Sequence, residues 1–205
     1  MNDQPTVFIV DDDPAFAESL AILVSSMNLK AELFSSADEF LQQFDPDAPG
    51  CLILDVRMPQ MSGLALQETL NKLPLCPAII VMTGYAEVPT ALRAMRQGAV
   101  DFLQKTFSES ELCDAIQRAI AQDKATRVSF QRRSKVDALF SQLSPAERQV
   151  LEYVLRGEPN KRIASALGIS RRTVEDRRAR VMQKLEVESL ADLVRLAIEA
   201  GVHRE

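Results

Sequence analysis

The chain has 205 residues, enough for one medium domain and one small one, each with its own core. Hydrophobic residues make up 46% and charged residues 26%, an ordinary globular balance that excludes a disordered chain. The longest apolar runs are of strand length and no basic leader precedes a long one, so neither a transmembrane helix nor a signal peptide is expected and a cytoplasmic protein is predicted. Cys51, Cys76 and Cys113 are scattered, no C-x-x-C occurs, and the single histidine is His203, which argues against structural zinc and for free buried thiols. The net charge of −5 conceals an asymmetry: residues 1–122 carry 17 acidic and 7 basic side chains, whereas 123–138 are net +3 and 139–205 net +2. An acidic part followed by a weakly basic part suggests two separate tasks.

Val7 to Val10, Cys51 to Leu54 and Ala78 to Met82 are continuous apolar runs, the pattern of parallel strands buried on both faces. Between them lie helical patterns. Phe16, Leu20, Leu23 and Val24 mark the first, and Asp13 ahead of Pro14 reads as its cap. Ser36-Ala37-Asp38-Glu39 is a capping-box signature ahead of Phe40, Leu41 and Phe44. Leu64, Leu66 and Leu70 mark another helix, and Val88 to Gln97 a further one ending at Gly98. Val100 to Leu103 is a short strand, and Ser108 to Glu111 a second capping box that opens a helix through Leu112, Ile116 and Ile120. About five alternating β and α units predict a doubly wound α/β domain over residues 1–122, with a five-stranded parallel sheet.

From Ala99 to Ser144 there is neither Gly nor Pro, so the last helix is expected to continue as a helical linker over 123–142. Beyond it the pattern is all-helical, predicting a four-helix domain over 143–205. Ser144-Pro145-Ala146-Glu147 is a strong helix start. Asn160 is expected to cap the second helix and Ser170 the third, with Gly168 in the turn between them; Ser189 opens the last.

In a doubly wound sheet the chemistry collects at the carboxyl ends of the strands. Asp11, Asp12, Asp55, Thr83 and Lys105 all fall there. Clustered carboxylates need a compensating cation, and hard oxygen ligands favour Mg2+. A carboxylate can also act as a nucleophile and form an aspartyl phosphate, with the metal and a lysine neutralising the phosphoryl group in transfer.

These residues sit in Ile9-Val10-Asp11-Asp12-Asp13, Leu54 to Pro59, Met61-Ser62-Gly63, Thr83-Gly84, and Gly98 to Phe102 through Lys105. With these motifs, residues 5–122 resemble the response-regulator receiver family. The resemblance implies that Asp55 is the phosphoacceptor. It implies that Asp11, Asp12, Asp55 and the backbone carbonyl of Arg57 bind Mg2+, and that Thr83 and Phe102 form a switch pair in which Phe102 turns inward as Thr83 moves to the phosphoryl group. The family usually has proline after the lysine, with a cis bond; here Thr106 stands there. A cis bond before a non-proline residue costs about 3 kcal/mol, so a trans bond is expected.

The segment 143–200 carries basic residues Arg171, Arg172, Arg177, Arg178, Arg180 and Lys184 on one predicted helix, against Glu175 and Asp176. Two helices joined across Gly168 suit a helix-turn-helix, whose second helix reads the major groove. Leu143-Ser144-Pro145, Asn160-Lys161, Leu167 to Ser170, Thr173-Val174 and Met182 to Leu185 resemble the LuxR/FixJ-type domain. The expected DNA contacts are Lys161, Arg171, Arg172, Thr173, Glu175, Asp176, Arg177, Arg178 and Arg180. Glu186 replaces a glycine common in that family.

Together the two resemblances imply a FixJ/NarL-type response regulator. A separate sensor histidine kinase would phosphorylate it, His203 being in a poor context for phosphotransfer. The phosphorylated form would dimerise, bind promoter DNA and engage the transcription machinery, with no membrane partner. Such a chain is not a conventional enzyme. Two other readings stay open from the sequence. One is a phosphohydrolase with Asp55 as nucleophile, although Arg57 occupies the place where such enzymes commonly carry a second aspartate. The other is a constitutive DNA-binding protein with an inert receiver.

Overall fold

A computed structural model describes residues 4–85 and 87–202; His203 lies outside the described residues. The chain divides into two compact units, Met1–Val128 and Ser129–Glu205. No helix among the described residues is long and apolar enough to cross a membrane.

In the first unit the elements alternate: β1 Thr6–Val10, α1 Pro14–Ser26, β2 Lys30–Phe34, α2 Ala37–Gln43, β3 Gly50–Asp55, α3 Gly63–Leu70, β4 Ala78–Thr83, α4 Val88–Arg96, β5 Asp101–Gln104 and the start of α5 Glu109–Ser141. All strand pairs are parallel, in the order β2-β1-β3-β4-β5. Every residue of β1, β3 and β4 is buried. Side chains alternate between the two faces of a strand. Val7, Ile9, Cys51, Ile53, Ile80 and Met82 therefore pack with Leu20 and Val24 of α1 and Leu112 and Ile116 of α5. Phe8, Val10, Leu52, Leu54, Ile79 and Val81 pack with Phe40 of α2, Leu66 and Leu70 of α3 and Ala94 of α4. This is the expected doubly wound sheet. The strand β2 has no continuous apolar run: Lys30 and Leu33 are exposed and only Phe34 is buried, as befits an edge strand.

Asp13 caps α1, accepting hydrogen bonds from the backbone N–H groups of Ala15 and Phe16. Ser36 caps α2 through the Glu39 N–H, but the Glu39 carboxylate reaches back to Ser35 rather than Ser36. The helix α5 is continuous over 33 residues and crosses the boundary between the units. Near that boundary Asp123 accepts from the Gly50 N–H, while Arg127 pairs with Asp123 and donates to the carbonyls of Pro46 and Ala48.

The second unit contains the last turns of α5, then α6 Pro145–Leu155, α7 Asn160–Leu167, α8 Arg171–Lys184 and α9 Leu190–Glu199. Val136 and Phe140 of α5 join Val150, Ile163, Val174, Val181, Leu185 and Leu193 in one core. Both halves of the Ser144/Glu147 capping box form. Asn160 does not cap α7. Pro159 precedes the helix, Asn160 is its first residue, and its side-chain oxygen accepts instead from Arg178 at 2.5 Å. The sequence could not indicate this, since the two residues lie 18 positions apart.

Glu186 adopts φ 54° just past α8, where its N–H and that of Val187 bond the carbonyls of Gln183 and Met182. This helix ending requires a left-handed residue, and glycine reaches that conformation without the Cβ penalty. The cost of glutamate there is about 1 kcal/mol.

Glu147 is a carboxylate of the second unit held well below its ordinary range. The Lys184 ammonium, 2.6 Å away, and the Ser144 N–H hold it down to about 2 from an ordinary 4.5. A carboxylate whose folded pKa lies below its unfolded one contributes stability that is full above the unfolded value and lost as pH falls through the folded one. Unfolding of the second unit is therefore expected to become easier as pH falls from about 4.5 to about 2. Glu147→Gln should flatten that part of a thermal-melt profile; an unchanged profile would remove the ion pair from the account.

Candidate phosphoacceptor site and DNA interface

The carboxyl ends of β1, β3, β4 and the segment after β5 meet at one edge of the sheet. Asp11 follows β1, Asp55 ends β3, Thr83 ends β4, and Lys105 follows β5. Asp11, Asp55 and Thr83 are buried. The Lys105 ammonium lies 2.7 Å from Asp11 Oδ2 and 2.9 Å from Asp55 Oδ1, and 4.5 Å from the Phe16 ring centre. The second oxygen of Asp55 accepts from the Arg57 N–H at 2.7 Å, and Asp11 Oδ1 accepts from the Asp13 N–H at 3.0 Å.

Burial pushes the Asp55 carboxyl above its ordinary value, with Asp11 adding to the shift and Lys105 opposing it. Burial works against the Lys105 charge as well, but its bonds to Asp11 and Asp55 outweigh this and hold the ammonium above its usual range. One ammonium thus faces two buried carboxylates, and the exposed Asp12 stands beside them in sequence. Among the described residues no three carboxylate, cysteine or histidine side chains are gathered to hold an ion: Asp12 is not drawn in with Asp11 and Asp55. The donor set nonetheless fits a hard divalent cation, being all oxygen and short of positive charge.

Thr83 Oγ1 bonds both the carbonyl and the N–H of Tyr85. Phe102 is half-buried against the α3/α4 side of the sheet. The Lys105–Thr106 bond is trans, as no cis bond occurs among the described residues. Sequence reasoning missed the Arg57 side chain: it pairs with Glu87 at 3.1 Å and lies over the Tyr85 ring, linking the β3–α3 loop to the entrance of α4. No spacing rule reveals a contact across 30 residues. Burial, with Asp123 adding to it, pushes the Cys51 and Cys76 thiols up to about 12 and about 11, which disfavours their thiolate forms.

In the second unit α7 and α8 are joined by Gly168 and Ile169 with Ser170 capping α8. Val174 and Val181 anchor α8 in the core. Lys161, Arg171, Arg172, Glu175, Asp176 and Arg180 are exposed, whereas Thr173, Arg177 and Arg178 are half-buried. Thr173 shares a hydroxyl–hydroxyl bond with Ser170, and Arg178 is turned onto Asn160. Arg172, Asp176 and Arg180 recur at four-residue spacing, one side of a helix. Lys184 is engaged with Glu147 and the Gln142 carbonyl.

Residues 7–117 match the family of response regulator receiver domains, and residues 141–197 match the bacterial regulatory proteins of the luxR family. The response regulator protein TodT of Pseudomonas putida is 45% identical over 197 residues, covering 96% of this chain and 87% of TodT. The transcriptional regulatory protein FixJ of Rhizobium meliloti is 42% identical over 197 residues, covering 96% of each. Among solved structures, the response regulator StyR superposes with a TM-score of 0.85 at 42% identity, covering 96% of this chain and 99% of that one. With both family matches and these relatives spanning nearly its whole length, the chain belongs to the two-component response regulators that join a receiver domain to a LuxR-type DNA-binding domain and regulate transcription.

Proposed function

We propose that phosphorylation of Asp55 by a sensor histidine kinase controls dimerisation and sequence-specific DNA binding by this chain. The division of labour is a receiver over 1–122, a helical linker over 123–142 and a DNA-binding domain over 143–205. The observation that carries the reading is Asp55 itself, a buried carboxylate at a strand end, bonded to Lys105 and beside a second carboxylate.

An Asp55 oxygen attacks the phosphorus of a phosphohistidine; the P–N bond breaks and the imidazole leaves with its electron pair. Lys105 offsets charge on the transferring group. Receiver domains generally bind Mg2+ at this acidic pocket. Here Asp11, Asp12, Asp55 and the Arg57 carbonyl would hold it, and when bound it supplies neutralisation of the phosphoryl oxygens. The Thr83 hydroxyl leaves Tyr85 and donates to the phosphoryl group, and Phe102 turns into the space released. The exposed side chains Val88, Leu92 and Met95 on α4 support a contact with a second copy. A dimer then presents two copies of α8 to paired half-sites. The chain catalyses at most its own phosphoryl transfer and hydrolysis.

A gel shift on genomic promoter fragments, with and without a small acyl phosphate and Mg2+, tests this. Tighter binding with the phosphodonor is expected, and its loss on chelation. Equal binding in every condition would favour the constitutive reading.

The two kinds of arginine on α8 should separate in the same assay. Arg172→Ala removes an exposed cation and is expected to weaken DNA binding about tenfold with the melting temperature unchanged. Arg178→Ala cuts the tie to Asn160, so its main effect should be a lower melting temperature. The reverse pattern would reassign the two residues.

A further inference from the structure

The helix α4 is held to the protein unevenly. Its one buried residue is Ala94. Around it, three side chains of the α3 segment engage the C-terminal half of α4. Gln67 Nε2 donates to the Ala94 carbonyl at 3.1 Å; Glu68 accepts from Arg93 and from Gln97, each at 2.5 Å; and Asn71 Nδ2 donates to the Gln97 carbonyl at 2.7 Å. The N-terminal half has little. Glu87 makes no side-chain cap, Pro89 has no N–H to anchor, and Val88 and Leu92 are exposed. Among the described residues its side-chain tie is the Arg57–Glu87 pair, with both side chains 60% exposed, a kind of contact that contributes little.

Gln67 is the unusual member. It is wholly buried, and its Oε1 has no partner among the described residues. The Ala94 carbonyl already accepts from the Ala99 N–H at 3.1 Å, so the amide is not needed to satisfy the helix end. A hydrocarbon of the same length would fill the space without burying an orphan oxygen, which is costly. What the amide adds is a directed bond from α3 to α4. At the other end of α4, Thr83 holds the entering loop through both of its bonds to Tyr85, and because the hydroxyl has a single proton, donating it to a phosphoryl group would break the bond to the Tyr85 carbonyl.

We propose that Gln67, assisted by Glu68 and Asn71, is the pivot on which α4 turns: these positioning residues hold the C-terminal half of α4 on α3, so a change at Thr83 swings the N-terminal half and its exposed apolar side chains. The lever's trigger rests on the phosphorylation reading above; the anchor does not.

The test is amide hydrogen exchange on the full chain, paired with the phosphodonor gel shift, for wild type and Gln67→Met. In the unphosphorylated protein, loss of the Gln67 bond is expected to speed exchange over residues 94–99 about fivefold while the β3 and β4 amides stay unchanged. Asn71→Ala, which alters only an exposed side chain, should raise exchange in the same segment to a smaller degree and covers the case in which Gln67→Met does not fold. In the gel shift, the gain in affinity on adding phosphodonor should fall about fivefold in Gln67→Met. Unchanged exchange over 94–99 in both variants overturns the anchor, whatever phosphorylation does. Faster exchange with an undiminished phosphodonor response overturns the pivot. A wild type that does not respond to phosphodonor overturns the trigger and with it the phosphorylation reading, while the exchange result still decides the anchor.

Discussion

Asp55→Asn is expected to abolish phosphoryl incorporation from a small acyl phosphate and to leave DNA affinity the same with and without the donor. In wild type the donor should tighten binding by about ten- to a hundredfold, the usual range for coupling between two sites. The substitution removes the nucleophile and little else. Asparagine keeps one carbonyl oxygen, which can still accept from the Arg57 N–H; the oxygen that meets Lys105 is lost, and the ammonium keeps its pair with Asp11. The carboxyl of Asp55 is raised by burial, so folding disfavours its charged form. The receiver is therefore expected to tolerate asparagine, and the melting curve separates loss of response from loss of fold. Intact-mass measurement of the phosphoryl adduct, the gel shift and a melting curve check the three parts. A variant that still responds to the donor would place the phosphoacceptor elsewhere.

Gly63→Ala is expected to carry the largest stability loss of the substitutions considered, about 3 kcal/mol or more. A Cβ on Gly63 would lie 2.0 Å from the Asp55 carbonyl oxygen and 2.9 Å from its carbon. Both are backbone atoms at the end of a buried strand, so no side-chain rotation relieves the clash. The start of α3 must move away, breaking the Gly63 N–H bond to the Val56 carbonyl. Because the atoms it crowds belong to Asp55, the same change should slow phosphorylation. Urea denaturation followed on the receiver transition reads the first effect, and the rate of phosphoryl incorporation reads the second. An unchanged midpoint would mean that the approach of α3 to β3 is looser than described.

The legible parts of the fold are those where one side chain's environment follows from its neighbours in sequence. Buried strands announce themselves as apolar runs, and β1, β3 and β4 have no exposed residue to interrupt them. Caps are likewise local: Asp13, Ser144, Ser170 and Ser189 act within three residues of themselves. The edge strand β2 was not located, because a strand with one covered side needs no continuous apolar run and Lys-Ala-Glu-Leu-Phe has none. Asn160 failed as a cap for a different reason: its partner is the arginine 18 residues on, and the competition between a local and a distant bond is decided by packing.

The candidate site divides the same way. Residue types at strand ends, read with the parallel-sheet rule, were enough to bring Asp11, Asp55, Thr83 and Lys105 to one place, because the position of a strand end follows from the strand itself. What the sequence alone determined, then, is the pair of folds, their order and which polar residues gather at the sheet edge. Only the tertiary structure decided which carboxylates share Lys105 while Asp12 stays exposed, which arginines of α8 stay exposed while Arg178 is taken by Asn160, and how α4 is tied by Gln67 on one side and Arg57 on the other. Each of those depends on side chains reaching across elements far apart in the chain. Their distances are set by packing, on which local spacing is silent.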